Sequence, residues 1–130
     1  MSVKVTRIEG TKFRAEASGF EIVTGRVDEK TPAEGMSPGG VMVAALGLCT
    51  GTRIIEQMDL RGWKAGRLSV NVKIKTDKGL NRATDFDVDI ELEADLTEPQ
   101  LKEIVEEAGR CFVGNTLRNP PRFDICVNLV

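Results

Sequence analysis

A chain of 130 residues, 41% hydrophobic and 29% charged with a net charge of −2, reads as one ordinary globular domain with a modest core, and it has no global attraction for nucleic acid or anionic lipid. Five Phe, one Trp and no Tyr leave little material for stacking bases. The absence of histidine removes the Ser-His-Asp triad, the Cys-His dyad and every His-based zinc site, so thiol chemistry from the three cysteines becomes the leading option.

The N-terminus, Met1-Ser-Val-Lys-Val-Thr6, has no basic segment followed by an apolar one, so no signal peptide is expected. Val3 and Val5 alternate with polar residues, and Phe13, Ala15 and Ala17 alternate with Lys12, Arg14 and Glu16. A Ser18-Gly19 turn followed by Phe20 and Ile22 predicts hairpins. The stretch from Arg26 to Met36 holds Thr31-Pro-Ala-Glu-Gly35 and reads as a loop.

Ser37-Pro38 is a helix start, with a capping serine and a proline suited to the first helical position. The spacing predicts a helix to about Leu60, before Arg61-Gly62, roughly 36 Å long. Its first half, Val41 to Leu48, is apolar on every side, which predicts complete burial. The run Val41 to Cys49 falls well short of the roughly 20 apolar residues of a membrane span, so no membrane partner is expected. Gly39, Gly40 and Gly47 each cost up to about 1 kcal/mol of helix propensity, and close packing against another backbone is the expected reason for them.

Leu68, Val70, Val72 and Ile74 then alternate with Ser69, Asn71, Lys73 and Lys75. After an Asp77-Lys-Gly79 turn, Phe86, Val88, Ile90, Leu92 and Ala94 alternate with Asp85, Asp87, Asp89, Glu91 and Glu93. An antiparallel hairpin would set lysines against carboxylates, each pair contributing about 0.2–1 kcal/mol. Alternating strand carboxylates lack the turn geometry of a calcium loop and read as a solvated face. Thr97-Glu-Pro-Gln100 starts a second helix with a capping-box pattern, and Leu101, Ile104, Val105 and Ala108 form its apolar stripe. Gly109 breaks it, and Cys111 to Leu117 predicts a short helix stopped by Asn119-Pro-Pro121. Phe123, Ile125, Val127 and Leu129 predict a last strand, with Cys126 on its opposite face beside Asp124 and Asn128.

An odd cysteine count without a Cys-x-x-Cys pair argues against a disulfide framework and for a reducing cytoplasm. Positions 49, 111 and 126 contain no close ligand pair, so no metal is expected. A thiol is a nucleophile only as thiolate. The apolar run around Cys49 opposes that form, whereas Arg53, one turn on along the same helical face, favours it. Cys111 follows Arg110 and opens a predicted helix whose free N–H groups favour an anion. The plainer alternative for each cysteine, Cys126 most of all, is an ordinary core thiol.

Two motifs together carry a resemblance: Ser37-Pro38 followed by Val43-Ala-Ala-Leu-Gly-Leu-Cys49, and Cys111-Phe-Val-Gly-Asn-Thr-Leu117 behind an amphipathic helix. With this order of elements the chain resembles the osmotically inducible protein C-like (OsmC-like) family, which includes the organic hydroperoxide resistance proteins. The resemblance covers nearly the whole chain. It implies a single domain over 1–130 of the α+β class, with antiparallel sheets around a long buried central helix. It also implies an intertwined homodimer with active sites at the subunit interface.

The chemistry that the resemblance implies is thiol peroxidation. Cys49 would attack the O–O bond of an organic hydroperoxide and become a sulfenic acid, Cys111 would condense with it to a disulfide, and an external dithiol would reduce that disulfide. Neither a metal nor an organic cofactor is implied. An apolar pocket would favour alkyl or lipid hydroperoxides, with Met36, Met42 and Phe112 as candidate lining. The family's peroxidases carry a glutamate directly after the helix-opening proline, where it holds an arginine beside the reactive thiol. Here that position is Gly39. Arg26 is the candidate arginine, Arg14 and Lys12 are alternatives, and Glu34 could stand in for the glutamate if its loop folds back. Three readings follow: a thiol peroxidase, a dimer that binds a small apolar or thiol-bearing ligand with little turnover because Gly39 replaces the glutamate, and a protein whose cysteines are merely core.

Overall fold

The alternation at the start of the chain becomes a three-stranded antiparallel sheet, β1 (Lys4–Glu9), β2 (Lys12–Ala17) and β3 (Phe20–Thr24), in the order β1-β2-β3. The computed structural model describes every residue, Met1–Val130. Ser18 at φ 52° and Gly19 at φ 82° make the tight turn between β2 and β3, where two consecutive left-handed residues match the twist of a hairpin. The loop after β3 folds back on the strand ends. Thr11 N–H donates to the Arg26 carbonyl at 3.1 Å, and Glu34 N–H donates to the Gly25 carbonyl at 3.0 Å. Gly25 has φ 78°, and a Cβ there would sit 1.9 Å from the Thr11 carbonyl oxygen, so glycine is required. These elements and the first turns of the following helix form one compact unit, Met1–Ala44; a second runs from Ala45 to Val130.

Helix α1 spans Pro38–Leu60. Ser37 caps it: its Oγ accepts the Gly40 N–H at 3.0 Å while its carbonyl accepts the Val41 N–H at 2.9 Å. Leu46, Thr50, Ile54 and Met58 recur every fourth residue and form its buried stripe. The expected complete burial of Val41 to Leu48 is not met. Only Leu46 in that stretch is fully buried, and Leu48 is 72% exposed, because one face of α1 packs within the chain while others stay open. By length and composition α1 could cross a bilayer. Ile54 and Met58 of its buried stripe belong to the core of the second unit.

Strands β4 (Leu68–Asp77) and β5 (Arg82–Leu92) form the predicted hairpin. Val70 faces Ile90, Val72 faces Val88 and Ile74 faces Phe86, while Lys73 faces Asp87 and Lys75 faces Asp85, as the opposite signs of the two strands require. The α1 glycines divide by environment. A Cβ at Gly47 would lie 3.3 Å from Val72 Cγ2, so this glycine lets α1 approach β4. The approach is to side chains rather than to backbone. A Cβ at Gly39 would meet nothing closer than Ser37 Oγ at 3.9 Å.

Helix α2 (Glu98–Ala108) has the predicted capping box: Thr97 Oγ1 accepts the Gln100 N–H, and Gln100 Oε1 accepts the Thr97 N–H at 2.9 Å. Ile104 and Ala108 join Ile54 and Met58 in the core of the unit, with Trp63, Leu68, Ile90 and Leu92 packed around them. Each fully buried Ile or Met contributes about 1.5–3 kcal/mol. Leu101 and Val105, the other half of the expected stripe, are exposed. Helix α3 (Phe112–Arg118) follows, capped by Cys111. The predicted last strand does not form. Phe123, Ile125, Val127 and Leu129 are 79–96% exposed in a segment without regular structure. A strand persists only when a neighbour takes up its N–H and C=O groups, and this segment pairs with neither sheet of the chain.

Candidate active site

Cys49 lies on α1, half-buried, and Cys111 caps α3 at 2% exposure. The two line one cleft of about 500 Å³, together with Leu48, Thr52, Arg53, Glu56, Arg110 and Phe112. Every residue of that cleft comes from the second unit. The fold thus brings together the two cysteines that the motifs single out, although they are far apart in the chain. Phe112, an expected lining residue, is in place and exposed.

Cys111 is the more enclosed thiol. Its Sγ accepts the Gly114 N–H at 3.3 Å and lies 3.8 Å from Thr50 Oγ1. Cys111 also borders a groove of about 390 Å³, whose walls include Phe86, Val88, Ile90, Val105 and Leu117 with Arg118 among them. That groove is mainly apolar, so it can take hydrocarbon but offers little to a strongly hydrated ligand.

A charge network borders the cleft. Glu107, largely buried on α2, has Arg53 Nη2 at 2.6 Å, Arg110 Nη1 at 3.3 Å and Arg61 Nη2 at 3.8 Å. The hydrogen bond from Arg53 holds its carboxyl below the usual glutamate range; burial opposes this, and the charges of Arg53, Arg110 and Arg61 reinforce it. Arg61 also pairs with Glu103 at 2.9 Å and lies over the Trp63 ring at 5.6 Å. Sequence reasoning found Arg53 and missed Glu107. The signal was present: Glu107 falls beside Ala108 on the helical stripe begun by Ile104, and an acidic residue on a buried face needs partners.

Arg26, the candidate thiol-activating arginine, lies in the first unit with an exposed side chain, and its charge contributes to lowering the Asp28 carboxyl. The larger causes there are hydrogen bonds from the Thr31 hydroxyl and the Lys30 N–H. Among the alternatives, Lys12 pairs with Glu34 at 2.7 Å, and Arg14 lies 3.7 Å from Glu16. The loop does fold back, but it hands Glu34 to Lys12. Met36 and Met42 belong to the first unit and are exposed. Cys126 is exposed in the C-terminal segment. No group of three or more Cys, Asp or Glu converges to hold a metal ion.

The model of the OsmC-like protein family matches residues 29–125. Among solved structures, the OsmC-like protein of Mycoplasma pneumoniae superimposes with a TM-score of 0.80 at 18% identity, covering 92% of this chain and 87% of that one. A Psychrobacter arcticus protein described as a putative osmotic stress induced and detoxification response protein gives 0.77 at 20% identity, over 89% and 87%. The organic hydroperoxide resistance protein OhrB of Bacillus subtilis gives 0.56 at 17% identity, over 92% and 93%. No curated protein sequence matches. A match that spans most of the chain, with Cys49 and Cys111 both inside it, makes this protein a member of the OsmC-like family.

Proposed function

We propose that the protein is a thiol peroxidase that reduces organic hydroperoxides. The observation that carries this reading is the shared cleft of Cys49 and Cys111. The description of a similar fold as an organic hydroperoxide resistance protein supports it. The Cys49 thiolate attacks the outer oxygen of the hydroperoxide. An S–O bond forms, the O–O bond breaks, and the leaving alkoxide takes a proton to become the alcohol. The Cys111 sulfur then attacks the sulfenic sulfur, forming the disulfide and releasing water. An external dithiol restores both thiols by exchange and is itself oxidised to a disulfide. Protein thiols carry every electron, so the cycle uses no metal or organic cofactor. Arg26 carries over from the family resemblance as the arginine of the site.

In this reading the chain, 1–130, works as a single domain in a cytoplasmic homodimer, with neither nucleic acid nor membrane as a partner. The unpaired C-terminal segment supports the dimer: its alternating apolar residues suit a strand that pairs with a second copy.

The test is mass spectrometry after one equivalent of cumene hydroperoxide with reductant removed. The protein is expected to lose two hydrogens as a Cys49–Cys111 disulfide. Cys49→Ser should consume no peroxide, and Cys111→Ser should gain one oxygen at Cys49. Sustained turnover by Cys49→Ser rejects the assignment.

One observation favours a second reading. Gly39 leaves the family's carboxylate position without a side chain. A dimer that binds a small apolar or thiol-bearing ligand would then show ligand-dependent stabilisation and no peroxide consumption.

A further inference from the structure

The second unit contains a carboxylate–guanidinium pair beside the cysteines that does not depend on position 39. Arg53 lines the cleft with Cys49 and lies one turn along α1 from it. Its Nη2 is fixed by Glu107 Oε2 at 2.6 Å, and its Nε is buried with no hydrogen-bond partner. We propose that Arg53 is a cation of the Cys49 cleft in its own right, and that Glu107 is the positioning residue that holds it there. The proposal rests on the peroxidase reading and names how that site is charged without an acidic residue at position 39.

A buried N–H without an acceptor is costly, and the cost is relieved when an anion arrives. The two anions of the proposed reaction are the attacking thiolate and the oxygen that leaves the hydroperoxide. A guanidinium anchored through one nitrogen can present another in a fixed direction, which is what stabilising a developing charge requires. The anchor is itself constrained. Glu107 sits on the buried face of α2, next to Ala108 of the core, and its other oxygen is shared by Arg110 at 3.3 Å and Arg61 at 3.8 Å. Arg61 is further engaged by Glu103 and Trp63, and the Arg110 side chain is 63% exposed, against 32% for Arg53. Arg53 is therefore the guanidinium with both a buried free donor and a place in the cleft.

The experiment measures sulfenic acid formation at Cys49 in Cys111→Ser protein mixed with cumene hydroperoxide, with folding checked by far-UV circular dichroism. Arg53→Gln and Glu107→Gln should each slow this step about a hundredfold, as expected for losing one preorganised donor. The double variant should be no slower than either single one, because the residues act as a unit. Glu107→Asp should recover part of the rate. Guanidinium ion should restore Arg53→Ala, whereas sodium chloride at equal ionic strength should not. This rescue serves as the test if Glu107→Gln fails to fold. A folded Arg53→Gln protein with unchanged rate overturns the proposal, as do independent, multiplying effects of the two substitutions. If the protein with native residues 53 and 107 does not react with peroxide, the peroxidase reading fails, and iodoacetamide alkylation of Cys49 at neutral pH decides the present one. Slower alkylation in Arg53→Gln keeps the assignment; equal alkylation rejects it.

Discussion

The Thr50 hydroxyl and the Cys111 sulfur face each other at 3.8 Å, and the direction of their contact is set by a third group. Thr50 has one proton and gives it to the Leu46 carbonyl at 2.8 Å, so it turns lone pairs toward Cys111. The Cys111 S–H is then the donor, and in the proposed cycle this bond tethers the thiol that would condense with Cys49. Thr50→Val removes the tether at nearly constant shape. Disulfide formation after one equivalent of hydroperoxide should quicken by up to about twofold, for a weak S–H bond of about 0.5 kcal/mol. The first step at Cys49 should be unchanged. Dimedone trapping against time separates the two steps, and an unchanged or slower second step contradicts the tether.

Acid should weaken the second unit through Glu107. Its folded-state value is held below the ordinary 4.5, chiefly by the Arg53 hydrogen bond, so the unfolded chain takes up this proton first. The stabilisation is full above about 4.5 and is lost as pH falls through the lower folded value. In urea titrations Glu107→Gln should be the less stable protein at neutrality, and the gap should close as pH falls below 4.5 and through the lower folded value. A gap that stays constant with pH means that the carboxylate charge contributes nothing.

One substitution at two α1 glycines should give different results. Gly39→Ala meets open space and should stabilise by up to about 1 kcal/mol. At Gly47 the same helical gain is opposed by Val72 Cγ2 at 3.3 Å, and Gly47→Leu should destabilise by about 1–3 kcal/mol as α1 is forced off β4. Thermal melts of the three variants test the order.

Ile54 is fully buried among Met58, Ile104 and Ala108, and Ile54→Ala should cost about 2–5 kcal/mol in urea unfolding. A loss under about 1 kcal/mol would mean that this cluster is not the core of the unit.

Light scattering should find a dimer, and truncation after Asn119 should abolish it. Four apolar side chains at 79–96% exposure have about 1.5–3 kcal/mol each to gain from burial. A truncated chain that remains dimeric removes the C-terminal segment from the interface.

Local chemistry made most of the fold legible in the sequence. Ser37-Pro38, the Thr97 capping box, the Ser18-Gly19 turn and the period-two runs of β4 and β5 each act within a few residues, and each appears where expected. The failures involve burial. The apolar sides of α1 at Leu48 and the alternation of Phe123 to Leu129 record surfaces that seek cover, but periodicity does not say whether the same chain supplies it. That Cys49 and Cys111 share a cleft was expected only through the family resemblance of their two motifs, since no local pattern joins residues so far apart in the chain. Glu107 was passed over although its place beside Ala108 on the stripe was visible, because a carboxylate on a helix is ordinarily solvated; the three arginines around it account for its burial.

The lone indole of the chain ends a continuous relay. Trp63 underlies Arg61, Arg61 reaches Glu107, and Glu107 grips Arg53 at the edge of the cleft. With no tyrosine to add background, emission excited in that ring should shift if this relay rearranges when the sulfur atoms react, which makes it a dye-free probe to try.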